Sequence, residues 1–384
     1  MNVGINMLAF LPRVSGGIEF YIINLLGALA EIDKMNHYYV FLNLDNYETI
    51  NLSQSNFHKI RLFVRARPQV VRVLCEQFAL PILAKKLNLD IMHSPSYTYP
   101  VLSRIPGVVT ICDMLYKVQP QAIAWPKLFF WNQFVPLSVK RCREVLTISE
   151  HAKLDIVRLL GLPDYKVTVT PLALDKQFSN IKQLAEEEIA RVCTLYGIHR
   201  PFILNVGGLG PHKNPGALVR LLKILRERPQ TGNLTLVITG NDYGSKKQIA
   251  EDIALNFLKN AVVLPGYVSR NDLRALYMAA AAYVSTSQFE GFGLTVLEAM
   301  ACGAPIVVSN RASLPEVAGS AGLVVDPDDA SKLAGVVYEV LTNKQLREDL
   351  IKRGYNRVLE FSWNRTARLT LDIYKRAAQV KENG

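Results

Sequence analysis

The chain is 384 residues long, with 49% hydrophobic and 20% charged residues and a formal net charge of +11 at pH 7. Its length is about twice that of a usual domain and its composition can fill two cores, so a single core and global disorder are both excluded. The excess of 44 Lys and Arg over 33 Asp and Glu admits nucleic acid, anionic lipid or a polyanionic substrate as a partner, and charge alone does not choose among them.

In chain order, residues 2–10 are predicted as a strand. The start lacks a basic stretch and soon meets Arg13 and Glu19, so no signal peptide is expected. After a turn at Ser15, Gly16 and Gly17, residues 18–31 show helical spacing through Ile22, Leu25, Leu26 and Leu29. Strands follow at 38–42, 91–93, 107–111 and 144–147, with helices over 70–87 and from Glu150 onward. The alternation dissolves around residues 170–200 and resumes. Strands are predicted at 202–206, 234–239, 262–264, 282–285 and 305–309, with helices at 216–226, 246–258, 271–281, 295–301 and from Asp329 onward. The expected fold class is therefore α/β, two Rossmann-like doubly wound domains facing across a cleft that is the default ligand site. The boundaries are 1–175, 176–360 and a closing helix over 361–384. No uncharged apolar run approaches the ~20 residues of a membrane-spanning helix. Cys75, Cys112, Cys142, Cys193 and Cys302 show neither CxxC pairing nor zinc spacing, so a reduced, cytoplasmic compartment is expected, without disulfides or structural zinc.

The densest motif runs from Phe289 to Pro305. Glu290 and Glu298 stand eight positions apart, with Gly291 and Gly293 at the mouth of the predicted helix. A helix start presents unpaired N–H groups and the positive end of its dipole, which suits a phosphate. With Glu298 roughly two turns inside the helix, a sugar diphosphate would span from one carboxylate across the amides to the other. The plainer alternative makes Glu290 a cap and Glu298 part of a solvated face.

These residues resemble the E-x7-E signature of the retaining GT-B glycosyltransferases of family 4. The resemblance runs nearly end to end. Residues 15–19 (Ser-Gly-Gly-Ile-Glu) are similar to the family's first glycine turn, and residues 145–150 to its N-domain strand end. Val206, Gly207, Gly208 and Leu209, with Lys213 and Asn214, are similar to its phosphate loop, and residues 264–269 to the segment beside the nucleotide base. The resemblance implies that Glu290 contacts the donor hexose, Glu298 accepts from the ribose hydroxyls and Lys213 neutralises the diphosphate. Amides near Gly291, Phe292, Gly293, Leu294 and Thr295 would hold the sugar and phosphate oxygens. Gly16 and Gly17 would close onto the pyrophosphate, and Val268 would lie beside the base. Stabilising the departing nucleoside diphosphate would be the main catalytic contribution, with no metal and no further cofactor. Two positions depart from the family pattern. Gly208 and His212 stand where an arginine is common, and Cys112 precedes Asp113 where relatives carry a histidine that contacts the donor sugar. Cys112 is thus either a catalytic-site thiol or a small buried apolar residue. Asp113 is a candidate for the acceptor hydroxyl, and His93 either touches ligand or is a structural hydrogen bonder.

Between residues 59 and 86, Lys59, Arg61, Arg65, Arg67, Arg72, Lys85 and Lys86 face a single acid, Glu76. Interleaved apolar residues make the segment amphipathic, and Trp125, Phe129, Phe130 and Trp131 add an aromatic cluster downstream. One expectation is docking on an anionic membrane, the inner face of the cytoplasmic membrane, to take a lipid-linked acceptor. The other is an ordinary solvated helix with core aromatics. No nucleic-acid module is recognised. The leading expectation is hexose transfer with retention from a nucleotide-diphosphate sugar to a hydroxyl acceptor, a lipid-linked saccharide in cell-surface polysaccharide or lipopolysaccharide synthesis. Gly208, Pro211, Lys213 and Asn214 resemble the mannosyltransferase-like branch and favour GDP-mannose over a UDP-hexose. The alternatives are a nucleotide-sugar epimerase of GT-B fold and a non-catalytic nucleotide-sugar-binding relative.

Overall fold

The structure is a computed structural model and describes residues 1–12, 16–179 and 183–379. Arg13, Ser15, Val380 and residues 381–384 of the expected turn and closing helix lie outside the described residues. The chain divides into two units, Met1–Leu172 with Ser362–Gly384, and Ala173–Phe361.

Among the described residues the first unit holds seven strands: β1 (Asn2–Asn6), β2 (His37–Leu42), β3 (Phe57–Arg61), β4 (Ile91–Ser94), β5 (Gly107–Thr110), β6 (Glu144–Thr147) and β7 (Val167–Val169). They form one sheet in the order β3-β2-β1-β4-β5-β6-β7, and every pairing is parallel. β4, β5 and β6 are buried along their whole length, as a sheet covered on both faces requires. The predicted first strand is too long. Asn6 ends it by accepting the Leu8 amide at 3.1 Å, a local turn that takes the chain off the ladder. The helix Gly16–Ile32 packs on the closing helix Trp363–Gln379, where Phe20 meets Trp363 with ring centroids 5.8 Å apart. Arg376 of the closing helix grips Glu144 of β6 with two hydrogen bonds of 2.7 Å.

The second unit holds β8 (Phe202–Val206), β9 (Thr235–Thr239), β10 (Val262–Gly266), β11 (Ala282–Ser285), β12 (Ile306–Ser309) and β13 (Gly322–Val325). These pair in parallel in the order β10-β9-β8-β11-β12-β13. Each unit is thus a parallel α/β sheet of Rossmann type. In each, strand order reverses at one place: between β1 and β4, and between β8 and β11. Ligands of such sheets sit outside the carboxyl ends of the strands at this reversal.

The basic segment 59–86 is no single amphipathic helix. Lys59 and Arg61 lie on β3, and the rest follows a loop into the helical run 69–86, which widens into a π-turn at Cys75–Ala79. Arg72 is not a surface cation. It is buried, and its guanidinium donates to buried Glu76 at 2.7 Å. Val70, Val71, Leu74, Phe78 and Ile82, one stripe of that run, are exposed instead, as are Phe63, Trp125 and Phe129. Among the described residues no helix is long and apolar enough to cross a membrane.

Candidate active site

In the second unit the loops leaving β8 and β11 meet. The Thr286 hydroxyl donates to the carbonyls of Lys213 and Asn214 at 3.2 and 3.0 Å, and the Gln288 amide donates to the His212 carbonyl at 2.8 Å. The β8 loop approaches the β9 loop so closely that only glycine fits at one point. Gly208 has φ +83°, and a Cβ there would lie 2.3 Å from the Asn241 carbonyl oxygen. This crossing sets the course of the short turn Pro211–Lys213, which aims Lys213 back at the reversal point.

There Lys213 Nζ lies 2.5 Å from Glu290 Oε1, and the Ser287 hydroxyl donates to the same oxygen at 2.9 Å. Glu290 is therefore not a helix cap; its carboxylate is held by a cation and a hydroxyl from both loops. The Ser313 hydroxyl fixes the Glu290 backbone by donating to its carbonyl at 2.9 Å. Beyond Gly291 and Phe292 the helix Leu294–Ala301 opens at Gly293, whose φ is +100° and whose Cβ would meet Leu314 at 2.9 Å. Val296 donates back to the Gly293 carbonyl at 3.0 Å. The amides of Leu294 and Thr295 precede that first intrahelical bond, in the turn where helices leave donors unpaired. The Thr295 hydroxyl is engaged with Tyr283 at 2.8 Å. A lysine, a helix mouth and a carboxylate thus converge at one reversal point, an arrangement fitted to a phosphorylated, hydroxyl-rich ligand. His212, on the same turn, is held below its ordinary value by burial and by Lys213, with Glu290 opposing.

Glu298 is the fifth residue of this helix, so it lies little more than one turn inside rather than two. It is no part of a solvated face, being only 3% exposed. Arg270 donates to one of its oxygens and Tyr277 to the other, each at 3.1 Å. Burial pushes its carboxyl up to about 7 despite Arg270 and Tyr277, which both pull it down. Arg270 also pairs with Asp175 at 2.6 Å and lies over the Phe178 ring, 4.9 Å from its centroid. Val268, two residues before Arg270, is buried. Among the described residues no three His, Cys, Asp or Glu side chains gather as a metal site.

Gly16, Gly17, Cys112 and Asp113 belong to the first unit. Gly16 and Gly17 open the helix Gly16–Ile32, and a Cβ on either would meet nothing within 4 Å. Asp113 follows β5 and accepts the Leu115 amide at 2.9 Å. Cys112 is buried, and burial with Asp113 alongside pushes its thiol up, so the sulfur stays protonated. His93 is fully buried. One ring nitrogen meets the Tyr374 hydroxyl and the other the Thr110 hydroxyl, both at 2.7 Å, and burial pulls the imidazole down to about 3. Both its nitrogens are in use, which is the structural role.

Residues 197–357 match the family described as Glycosyl transferases group 1, and residues 15–178 match Glycosyltransferase Family 4. The O-antigen chain mannosyltransferase RfbU of Salmonella typhimurium is 30% identical over 78% of this chain and 77% of its own length. The chain belongs to the GT-B glycosyltransferases. The O-antigen chain mannosyltransferase B of Escherichia coli is 26% identical over 94% of this glycosyltransferase and 96% of its own length. Among solved structures, Anabaena HepE in complex with UDP and glucose aligns with TM-score 0.74 at 18% identity, covering 98% of this chain and all of HepE. That likeness carries the fold alone.

Motif reading of this glycosyltransferase misses Arg270, Tyr277 and Asp175, the groups that surround Glu298. Arg270 follows the segment expected beside the base, and only the N-cap signal Ser269-x-x-Asp272, realised as a 3.2 Å bond from the Asp272 amide to the Ser269 hydroxyl, marks a helix start there. It also misses Arg311, which pairs with Asp326 and Asp328 at 3.1 and 3.2 Å beside the 290s loop, where Gln288 reaches the same Asp328 at 2.9 Å.

Proposed function

We propose that this glycosyltransferase moves a hexose, with mannose the favoured sugar, from a nucleoside-diphosphate donor to a hydroxyl of a lipid-linked saccharide in cell-surface polysaccharide synthesis, with retention at the anomeric carbon. The observation that carries this reading is the Lys213–Glu290 pair at the mouth of the helix Leu294–Ala301. When the acceptor oxygen replaces the diphosphate, charge builds on the departing phosphate. Lys213 and the 290s amides answer that charge from fixed positions, which is the arrangement that favours a transition state over a ground state. In this reading they supply the electrostatic work without a divalent cation. Glu290, held by Lys213 and Ser287, takes the donor hexose hydroxyls. Buried Glu298 takes the ribose hydroxyls, Val268 packs at the base, and Gly16 and Gly17 let backbone amides reach the pyrophosphate. Asp113 takes the acceptor hydroxyl, with Cys112 packed beside it. The first domain binds acceptor and the second binds donor.

The O-antigen mannosyltransferase relatives support mannose and a polysaccharide acceptor, while the UDP complex of HepE keeps a UDP-hexose in the panel. The test is a donor panel scored by UDP or GDP release with lipid-linked acceptors, with NMR of the product. Release that depends on acceptor, on Glu290 and on neither added metal nor its chelation is expected, with the donor's anomeric configuration kept. An inverted product, or an epimerised free sugar without acceptor, overturns the reading. Docking on an anionic membrane is part of the proposal, supported by the exposed stripe Val70, Leu74, Phe78 and Ile82 beside Lys85 and Lys86. Flotation with anionic liposomes is expected and should be lost in Arg61→Glu/Arg65→Glu; retention of binding by that variant ends this part.

A further inference from the structure

The carboxyl ends of β1 and β4, the reversal point of the first sheet, open into a cavity of about 440 Å³. Its wall includes Asn6 at the end of β1 and Arg72, whose charge is compensated behind the wall by buried Glu76. Two further cations, Arg67 and Lys127, reach the same cavity from different segments. Among the described residues neither forms an ion pair. Lys127 lies over the Trp131 ring, 4.2 Å from its centroid. Desolvation and the nearby Arg67 hold its ammonium below the ordinary lysine value, while Asp113 opposes them. Two like charges brought to one partly desolvated cavity repel each other unless an anion sits between them. Arg and Lys together favour a phosphate, the first by its planar fork and the second as a point charge.

The borders of the cavity are of another chemistry. Val70 and Val71 adjoin the lining residues Gln69 and Arg72, and Trp125 and Phe129 adjoin Pro126, Lys127 and Phe130. All four border side chains are more than half exposed. Trp125 and Phe129 stack on each other with centroids 5.8 Å apart. Exposed apolar side chains on two segments that line a cationic hollow fit a ligand that is apolar with a charged head.

We infer that this cavity receives the phosphate or diphosphate of an amphiphilic acceptor. Arg67 and Lys127 grip the anion, and the apolar border formed by Val70, Val71, Trp125 and Phe129 takes the hydrocarbon chain next to it. The inference rests on the glycosyltransferase reading above and adds the chemistry by which the first domain selects its substrate.

Titration calorimetry of the full chain with farnesyl diphosphate, inorganic pyrophosphate and farnesol tests it. Farnesyl diphosphate should bind saturably, and more tightly than either fragment. Arg67→Gln and Lys127→Gln lie at the exposed mouth and leave the buried Arg72–Glu76 pair intact; each should weaken binding about tenfold. Pyrophosphate binding as tightly as farnesyl diphosphate would make this a free-anion site and overturn the amphiphile. Unchanged affinity in both variants, or loss of binding in Lys213→Ala, would place the anion elsewhere and overturn the cavity. The outcomes separate from those of the donor site: UDP and GDP binding, measured on the same samples, should be unaltered in Arg67→Gln. Failure of nucleotide to bind the parent chain would strike the donor reading and leave the cavity result standing.

Discussion

Between β8 and β11 the loops bring a lysine and a glutamate into contact a few residues before a helix mouth. Between β1 and β4 the equivalent edge carries a cavity with two cations and an apolar border, while the histidine of β4 is locked into a buried network with Thr110 and Tyr374. The two sheets share strand direction and reversal geometry, so the fold does not explain the difference. The loops do. One edge is built around close backbone approach, hydroxyl donors and a paired lysine and glutamate, the other, among the described residues, around unpaired cations and exposed hydrocarbon. The comparison teaches that a parallel sheet supplies the place for a ligand and leaves its chemistry to the connections.

The sharpest way to break the comparison is at Glu290. Glu290→Ala should cut sugar transfer by on the order of 10²–10³ with an unchanged melting temperature, measured by nucleotide release and calorimetry. Retained transfer would remove the donor edge from the chemistry. Lys213→Ala should follow at roughly 10²-fold in turnover, and it also leaves the Glu290 carboxylate without its cation.

Glu298 sharpens the contrast through pH. Its carboxyl rises from the ordinary 4.5 to about 7 on folding, so between those values the folded state holds a proton that the unfolded state has lost. Its contribution to stability therefore falls as pH rises through that window. Nucleotide affinity should move the other way, rising toward and above pH 7 as the carboxylate forms and accepts the ribose hydroxyls. Glu298→Gln should weaken nucleotide binding roughly tenfold to a hundredfold and flatten both profiles. A pH-independent affinity in the parent chain would exclude Glu298 from the ribose.

His93 gives the opposite sign at the other edge. Burial lowers it from 6.5 to about 3, so the unfolded chain takes up the extra proton and stability falls as pH drops from about 6.5 toward 3. His93→Ala should cost about 3 kcal/mol by chemical denaturation, reduce that acid sensitivity and leave nucleotide affinity unchanged. A change in nucleotide affinity would return His93 to the ligand. The smallest effect is expected at Cys112, where Cys112→Ala should cost about 1 kcal/mol and hold transfer within about twofold. A large loss of transfer would make the thiol part of the chemistry.

The alternation of apolar runs and helical spacing was enough to read both parallel sheets, because their central strands are buried on both faces and leave uninterrupted hydrophobic segments. Three edge strands escaped. β3 reads Phe-His-Lys-Ile-Arg, β7 has three residues, and β13 begins at Gly322. With one open edge these three strands do without a long continuous apolar run, unlike the edge strand β10, so periodicity does not see them. The glycines and carboxylates of the 290s loop were equally legible, since backbone conformation and helix starts are local matters. Tertiary packing alone decided which charges stayed on the surface. It folded Arg72 inward onto Glu76, closed Arg270 and Tyr277 around Glu298, brought Lys213 across 77 positions to Glu290 and spent both nitrogens of His93 on distant hydroxyls. A side chain's partner and its distance from water belong to the assembled core, and no window of neighbouring residues contains them.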